Sequence, residues 1–302
     1  MNERRQGIFA GVLSNVIWGF LPLYWHALRP VDSFVIIFYR IFLCAVCSYA
    51  LARAKYSKEE LFAPLKDRRL LLKFLCAGIL ITVNWSMYIW AVNANHVIET
   101  SIGYYIEPVV VCVFGLLFFG DRLDRYKTAA FVMAAAGIAV IVWYYRQLPL
   151  ISLMLALSFS LYGAAKKDLS QPPVLSLFYE TVFLAPAALC VILFLECSGK
   201  GAVHAAEGAS WKLLLLLLAG IATAVPLMLY AESANKAGLF ATGLCGYISP
   251  TISLLLSIYL FREPFERVQL LAFAIIWAGL AIFTYGEFKG TGNRPEEDGG
   301  IR

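Results

Sequence analysis

Residues 74–95 read FLCAGILITVNWSMYIWAVNAN, and this stretch decides the fold. Its 22 residues carry no charge. At 1.5 Å per residue a helix of that length runs about 33 Å, enough to cross the ~30 Å hydrocarbon core of a bilayer. In hydrocarbon every backbone N–H and C=O needs an internal partner, so the stretch is a helix. Residues 237–261 form a second uncharged run, 25 residues long.

Working outward, apolar runs with few charges predict ten spans: 7–27, 33–52, 71–92, 98–119, 127–145, 148–165, 174–195, 212–232, 238–261 and 267–286. The alternating ten-residue segments of a transmembrane barrel are absent from the sequence. Of the 302 residues 61% are hydrophobic and only 15% charged, against roughly 45–50% and about 25% in soluble domains. That excludes a soluble enzyme, which needs a charged surface, and a disordered chain, which needs low hydrophobicity. The basic start, Met1–Gln6, runs into an apolar stretch too long for a signal peptide and without its cleavage site, so a retained first helix is expected. Seven cysteines show no paired metal-ligand spacing and read as small buried apolar residues.

The net charge of +5 would suit nucleic acid, but its placement points elsewhere. With ten spans, 18 of the 25 Lys and Arg residues fall on one side of the membrane and six on the other, leaving Arg40 inside. By the positive-inside rule both termini are cytoplasmic, in a bacterial-type inner membrane. The Gly/Glu/Asp-rich end, 289–302, reads as a disordered tail.

An internal repeat recurs at an offset of about 140 residues. Phe38-Tyr39-Arg40 matches Phe178-Tyr179-Glu180, and Ala91, Ala94 and Asn95 match Ala231, Ala234 and Asn235. Tyr105-Ile106-Glu107-Pro108 matches Tyr247-Ile248-Ser249-Pro250, and Ser14, Trp18 and Gly19 match Ser158, Tyr162 and Gly163. Each half then holds five helices, 1–146 and 147–288. Five is odd, so the second half enters the membrane from the opposite side. The expected fold is therefore an all-α membrane protein of ten transmembrane helices in two inverted five-helix repeats, the build of secondary transporters whose cargo site lies between the repeats.

Trp18-Gly19-x-x-Pro22-Leu23-Tyr24-Trp25, Tyr39-Arg40, Asn84-Trp85-x-x-Tyr88-Ile89-Trp90 and Ser101-Ile102-Gly103-Tyr104-Tyr105-Ile106-x-Pro108 carry a resemblance across nearly the whole chain. The sequence resembles the drug/metabolite transporter superfamily with two EamA-type domains, and within it the RarD-like group of chloramphenicol-sensitivity permeases. The resemblance implies a small-solute permease, often an exporter. It also implies asparagine ahead of the helix-4 proline, where this chain has Glu107; asparagine cannot carry a proton, so a coupling role for Glu107 would not extend to the group.

Three ionisable residues sit well inside spans: Arg40, Glu107 and Glu180. A mid-membrane arginine costs roughly 2.5–3.5 kcal/mol on insertion scales and needs an inward face and a partner. Arg40 is either a two-pronged clamp for an anionic group or half of a packing ion pair, with Glu180 at the repeat-equivalent position. Glu107 precedes Pro108, which breaks the hydrogen-bond ladder, and Pro250 repeats the break. Both prolines are expected hinges. Burial disfavours the charged form of a carboxyl, which makes a membrane carboxylate a proton carrier; the alternative is a tolerated kink. Asn84 and Tyr88, four apart on one helical face, and Trp18 are expected to line the pathway, against the competing role of helix packing. Asp121, Asp124, Glu263 and Glu266 sit at helix junctions and read as caps.

The sequence contains no phosphate-binding loop, no His-Glu-x-x-His and no Gly-x-Ser-x-Gly, so no catalytic residue, metal or cofactor is expected. The expected partners are a small-molecule cargo, membrane lipid and protons, with no nucleic acid, and a monomer suffices. An importer or uniporter of amino-acid-like solutes gives the same pattern. A membrane-embedded enzyme would need a clustered catalytic set.

Overall fold

A computed structural model describes residues 3–119, 125–166, 171–206 and 209–291. Its regular structure is helical throughout the described residues. In order the helices are α1 (Glu3–Ala27), α2 (Ser33–Lys55), α3 (Lys58–Phe62), α4 (Arg68–Asn93), α5 (Val97–Phe119), α6 (Arg125–Tyr145), α7 (Leu150–Lys166), α8 (Pro173–Val182), α9 (Ala185–Cys197), α10 (Ala202–Ala205), α11 (Ser210–Leu217), α12 (Ala219–Ala237), α13 (Leu239–Cys245), α14 (Ile248–Tyr259) and α15 (Arg267–Thr291).

Seven of the described helical stretches are long and apolar enough to cross a membrane: α1, α2, α4, α6, α11 with α12, residues 241–259 of α13 and α14, and α15. The bent pair α8–α9 makes eight if counted as one span. Expected segments 98–119 and 148–165 lie on α5 and on the apolar, 17-residue α7. The chain is thus a multi-pass membrane protein. Large apolar side chains such as Phe9, Trp143, Phe194 and Leu214 stand exposed on its outer face, where lipid replaces water.

Local chemistry sets the helix ends. Asp32 accepts from the Phe34 N–H at 2.8 Å to start α2, and Asp67 accepts from the Arg69 N–H at 2.8 Å to start α4. Ser57 and Glu60 form a reciprocal capping box on α3. The α8–α9 axis turns by 53°. Pro186 cannot donate, and its ring crowds the carbonyl four residues back, at Val182, where α8 ends.

Helices of the two halves interleave. α1 packs on α12 and α14, α7 on α4 and α5, α2 on α8 and α12, α4 on α8, α5 on α14, and α6 on α15. Close approach at two of these crossings requires glycine. A Cβ on Gly78 would lie 2.1 Å from the Glu180 carbonyl oxygen, and one on Gly220 2.4 Å from that of Leu43.

Several sequence expectations change. Cys44 and Cys245 are buried as expected, but Cys76, Cys190 and Cys197 are exposed on the outer face. The expected disordered tail begins inside α15, which takes in residues 289–291; residues 292–302, like Asp121 and Asp124, lie outside the described residues. Glu263 is a cap, though of a helix far away in sequence: its carboxylate accepts from the Val97 and Ile98 N–H groups at 2.7 and 2.9 Å, at the start of α5.

Candidate functional site

Arg40 is built into the middle of the bundle by α2 and is only 4% exposed. Its Nε donates to Thr223 Oγ1 on α12 at 3.1 Å. The Thr223 hydroxyl in turn donates to the Ala219 carbonyl at 2.9 Å, which leaves its oxygen free to accept. The guanidinium carbon lies over two indole rings, 4.9 Å from the centroid of Trp25 on α1 and 4.3 Å from that of Trp85 on α4. Such cation–π contacts are worth about 0.5–2 kcal/mol each. No carboxylate of a described residue lies within ion-pair distance of Arg40, and its Nη1 has no hydrogen-bond partner.

Around the guanidinium stand the hydroxyls of Tyr24, Tyr88 and Tyr104, all within its electrostatic reach. Tyr24 donates to the Leu215 carbonyl, Tyr104 donates to Asn84 Oδ1 at 3.3 Å, and the Tyr88 hydroxyl lies near Ser253 on α14. Helices from both halves of the chain therefore meet at this cluster.

Glu180 is equally buried, at 1% exposure, but is fully partnered. Lys166 Nζ lies 2.9 Å from its Oε1, the Tyr162 hydroxyl donates to its Oε2 at 2.9 Å, and Ser176 Oγ donates to its Oε1 at 2.6 Å. Arg40 and Glu180 thus do not form an ion pair with each other. Cys44, one turn along α2 from Arg40, lies within electrostatic reach of both.

Glu107 is half-buried on α5, and no described side chain hydrogen-bonds or ion-pairs with its carboxyl. Its charge reaches Tyr104 and Tyr230, and Tyr230 packs on Trp18 with ring centroids 5.6 Å apart. Tyr104 lies within electrostatic reach of both Glu107 and Arg40. Pro108 sits within an uninterrupted α5. Pro250, by contrast, follows a break: α13 ends at Cys245, and α14 restarts at Ile248.

Asn84 is fully buried. Its Nδ2 donates to the Leu155 carbonyl at 3.1 Å and to Ser158 Oγ at 3.0 Å, tying α4 to α7. Tyr88 meets Tyr104 edge-on at 5.9 Å. Sequence reasoning did not single out Trp25, Tyr104 or Thr223. Trp25 and Tyr104 stood inside quoted motifs, but nothing along the chain aims their rings at Arg40.

Apolar spanning helices from both halves, converging on a buried polar cluster, define the class: a membrane transporter. The model of the EamA-like transporter family matches the chain twice, over residues 5–143 and 148–285. The chain belongs to that family, and its relatives place it in the RarD-like group. It is 40% identical over 293 residues to the uncharacterized transporter YojE of Bacillus subtilis, covering 95% of this chain and 96% of that protein. It is 32% identical to protein RarD of Escherichia coli K12 over 285 residues, 93% of this chain and 94% of that one. A solved crystal structure shares the fold with a TM-score of 0.60 at 19% identity, over 92% of this chain and 97% of that chain.

Proposed function

We propose that this protein is a secondary active transporter that exports a small polar or amphipathic metabolite or drug across the inner membrane. It works by alternating access between two inverted five-helix repeats, counting ten spans, with protons as the coupling ion and both termini cytoplasmic. Arg40, Glu107, Glu180, Asn84, Tyr88 and Trp18 belong to the cargo and proton pathway, with Pro108 and Pro250 as its hinge positions. The observation that carries this reading is the Arg40 guanidinium, buried without a counter-ion among the described residues where helices of both halves meet. An unpaired membrane arginine is costly, and cargo that neutralises it removes the cost while bound.

Paired crossings support the inverted repeat. Ser14 on α1 donates to the Pro226 carbonyl on α12, while its repeat match Ser158 on α7 accepts from Asn84 on α4. Gly78 on α4 abuts the α8 backbone as Gly220 on α12 abuts that of α2. Gly137 on α6 faces Ile276 on α15, and Gly279 on α15 faces Met133 on α6. The two segments matched by the family model fit a boundary at 146/147.

Glu107, whose carboxyl has no bonded partner among the described residues, is assigned the proton. The test is a thermal-shift screen of the purified protein against amino acids, other metabolites and chloramphenicol, followed by reconstitution in liposomes with the solutes that bind. The expected result is flux driven by a pH gradient and abolished by Glu107→Gln. Gradient-driven flux unchanged in that variant removes Glu107 from coupling.

A further inference from the structure

Five buried side-chain polar atoms of the described residues have no hydrogen-bond partner: Trp25 Nε1, Arg40 Nη1, Thr82 Oγ1, Asn93 Oδ1 and Ser257 Oγ. The three oxygens can all accept. The two nitrogens can only donate, and they belong to one cluster, with the Arg40 guanidinium carbon 4.9 Å from the Trp25 ring centroid. Trp25 is 0% exposed and Arg40 4%. The neighbouring polar groups do not answer them: Thr223 takes Arg40 Nε, and Asn84 Oδ1 takes Tyr104. Among the described residues the cluster is left with two donor nitrogens lacking acceptors and one positive charge lacking a negative one.

A group that satisfies both deficits accepts only and carries a single negative charge. Water and alcohols bring no charge, and an amide adds a donor. A dianion would exceed the one cation present and leave uncompensated charge among apolar rings. A carboxylate fits: its two oxygens match a guanidinium edge, and charge-assisted bonds of this kind are strong. The rings of Trp25 and Trp85 lie against the guanidinium, with Tyr88 and Tyr104 near it, and such apolar surroundings suit the rest of an organic acid.

We propose that the Arg40 site takes an organic monocarboxylate, its carboxylate accepting from both Arg40 Nη1 and Trp25 Nε1, with Trp25 as a binding residue that selects the acid. This deepens the transport reading and relies on it for the fate of the bound acid, though not for binding itself.

The test uses the purified full chain in detergent. Acetate, benzoate and phenylacetate are each compared with the matching amide, by melting temperature and by tryptophan emission. At least one acid binds and changes the emission, while its amide binds at least ~100-fold more weakly, as loss of a charged partner dictates. Arg40→Met abolishes that binding, and Trp25→Phe, which keeps a ring and removes the N–H, weakens it about 10-fold. No acid preferred over its amide, or binding retained in R40M, overturns the proposal; unchanged affinity in folded W25F overturns the part of Trp25. If W25F does not fold, the acid–amide comparison in the unmodified chain still decides. An acid that binds through Arg40 yet is never moved across a liposome sinks the transport reading and leaves this inference standing. Flux of neutral solutes that R40M leaves intact does the reverse.

Discussion

Arg40 and Glu180 match in sequence at an offset of 140 residues, and their surroundings could hardly differ more. Glu180 has Lys166, Tyr162 and Ser176 within 2.9 Å and no acceptor capacity obviously wanting. Arg40 has one threonine, two indole faces and an unanswered Nη1. A closed ion pair stabilises one arrangement of helices, whereas an open charge leaves a place for something that comes and goes. At Glu180 α8 is fastened to α7, whereas the Arg40 charge on α2 stays open.

Removing each charge separates these uses. Glu180→Leu strands Lys166 and the Tyr162 hydroxyl and should cost about 3 kcal/mol, a fall on the order of 5–10 °C in melting temperature. Arg40→Met removes a charge costing roughly 2.5–3.5 kcal/mol to bury along with cation–π contacts of similar total. It should melt within a few degrees of the unmodified protein. Equal losses in the two variants would erase the contrast. Gly78→Ala, whose Cβ meets the Glu180 backbone carbonyl, should cost about 1–3 kcal/mol by overpacking, detectable as a lower melting temperature. Asn84→Leu unties α4 from α7 near the open charge and should cost about 1–2 kcal/mol.

The smallest effect lies away from both charges. Glu60, on the loop side of α3, is held below the usual carboxylate range because its carboxylate accepts from the Ser57 N–H. A lowered carboxyl contributes stability above its unfolded value and loses it as pH falls through the folded one. Acidification below the ordinary carboxylate range should therefore loosen α3, and amide exchange at Glu60 and Leu61 should show less acid sensitivity in Glu60→Gln.

The sequence made the spans legible because hydrocarbon tolerates few charges, so charge-free runs such as 74–95 and 237–261 announce themselves. It also flagged Arg40, Glu107 and Glu180, for the same reason. The partners were not legible. Lys166 stands at the end of α7 and reads as a loop cation, yet its long stem reaches back to Glu180. The effect of each proline was not legible either. Pro22, Pro108 and Pro226 lie inside continuous helices, whereas Pro186 and Pro250 each follow a break four residues back. A lost backbone bond breaks a helix only where neighbouring helices fail to compensate, and that is a tertiary matter. The orientation of the Trp25 ring over Arg40 is tertiary in the same sense.

If the open charge serves cargo while the closed one serves the fold, removing Arg40 stops flux and spares stability. The most direct measurement is flux of a bound solute into liposomes holding equal amounts of unmodified protein or Arg40→Met, with melting temperature recorded on the same samples. The account predicts flux down by about 100-fold, the loss of a charge-assisted contact, at a melting temperature within a few degrees of the unmodified protein. Flux within twofold of the unmodified protein in folded R40M would contradict it.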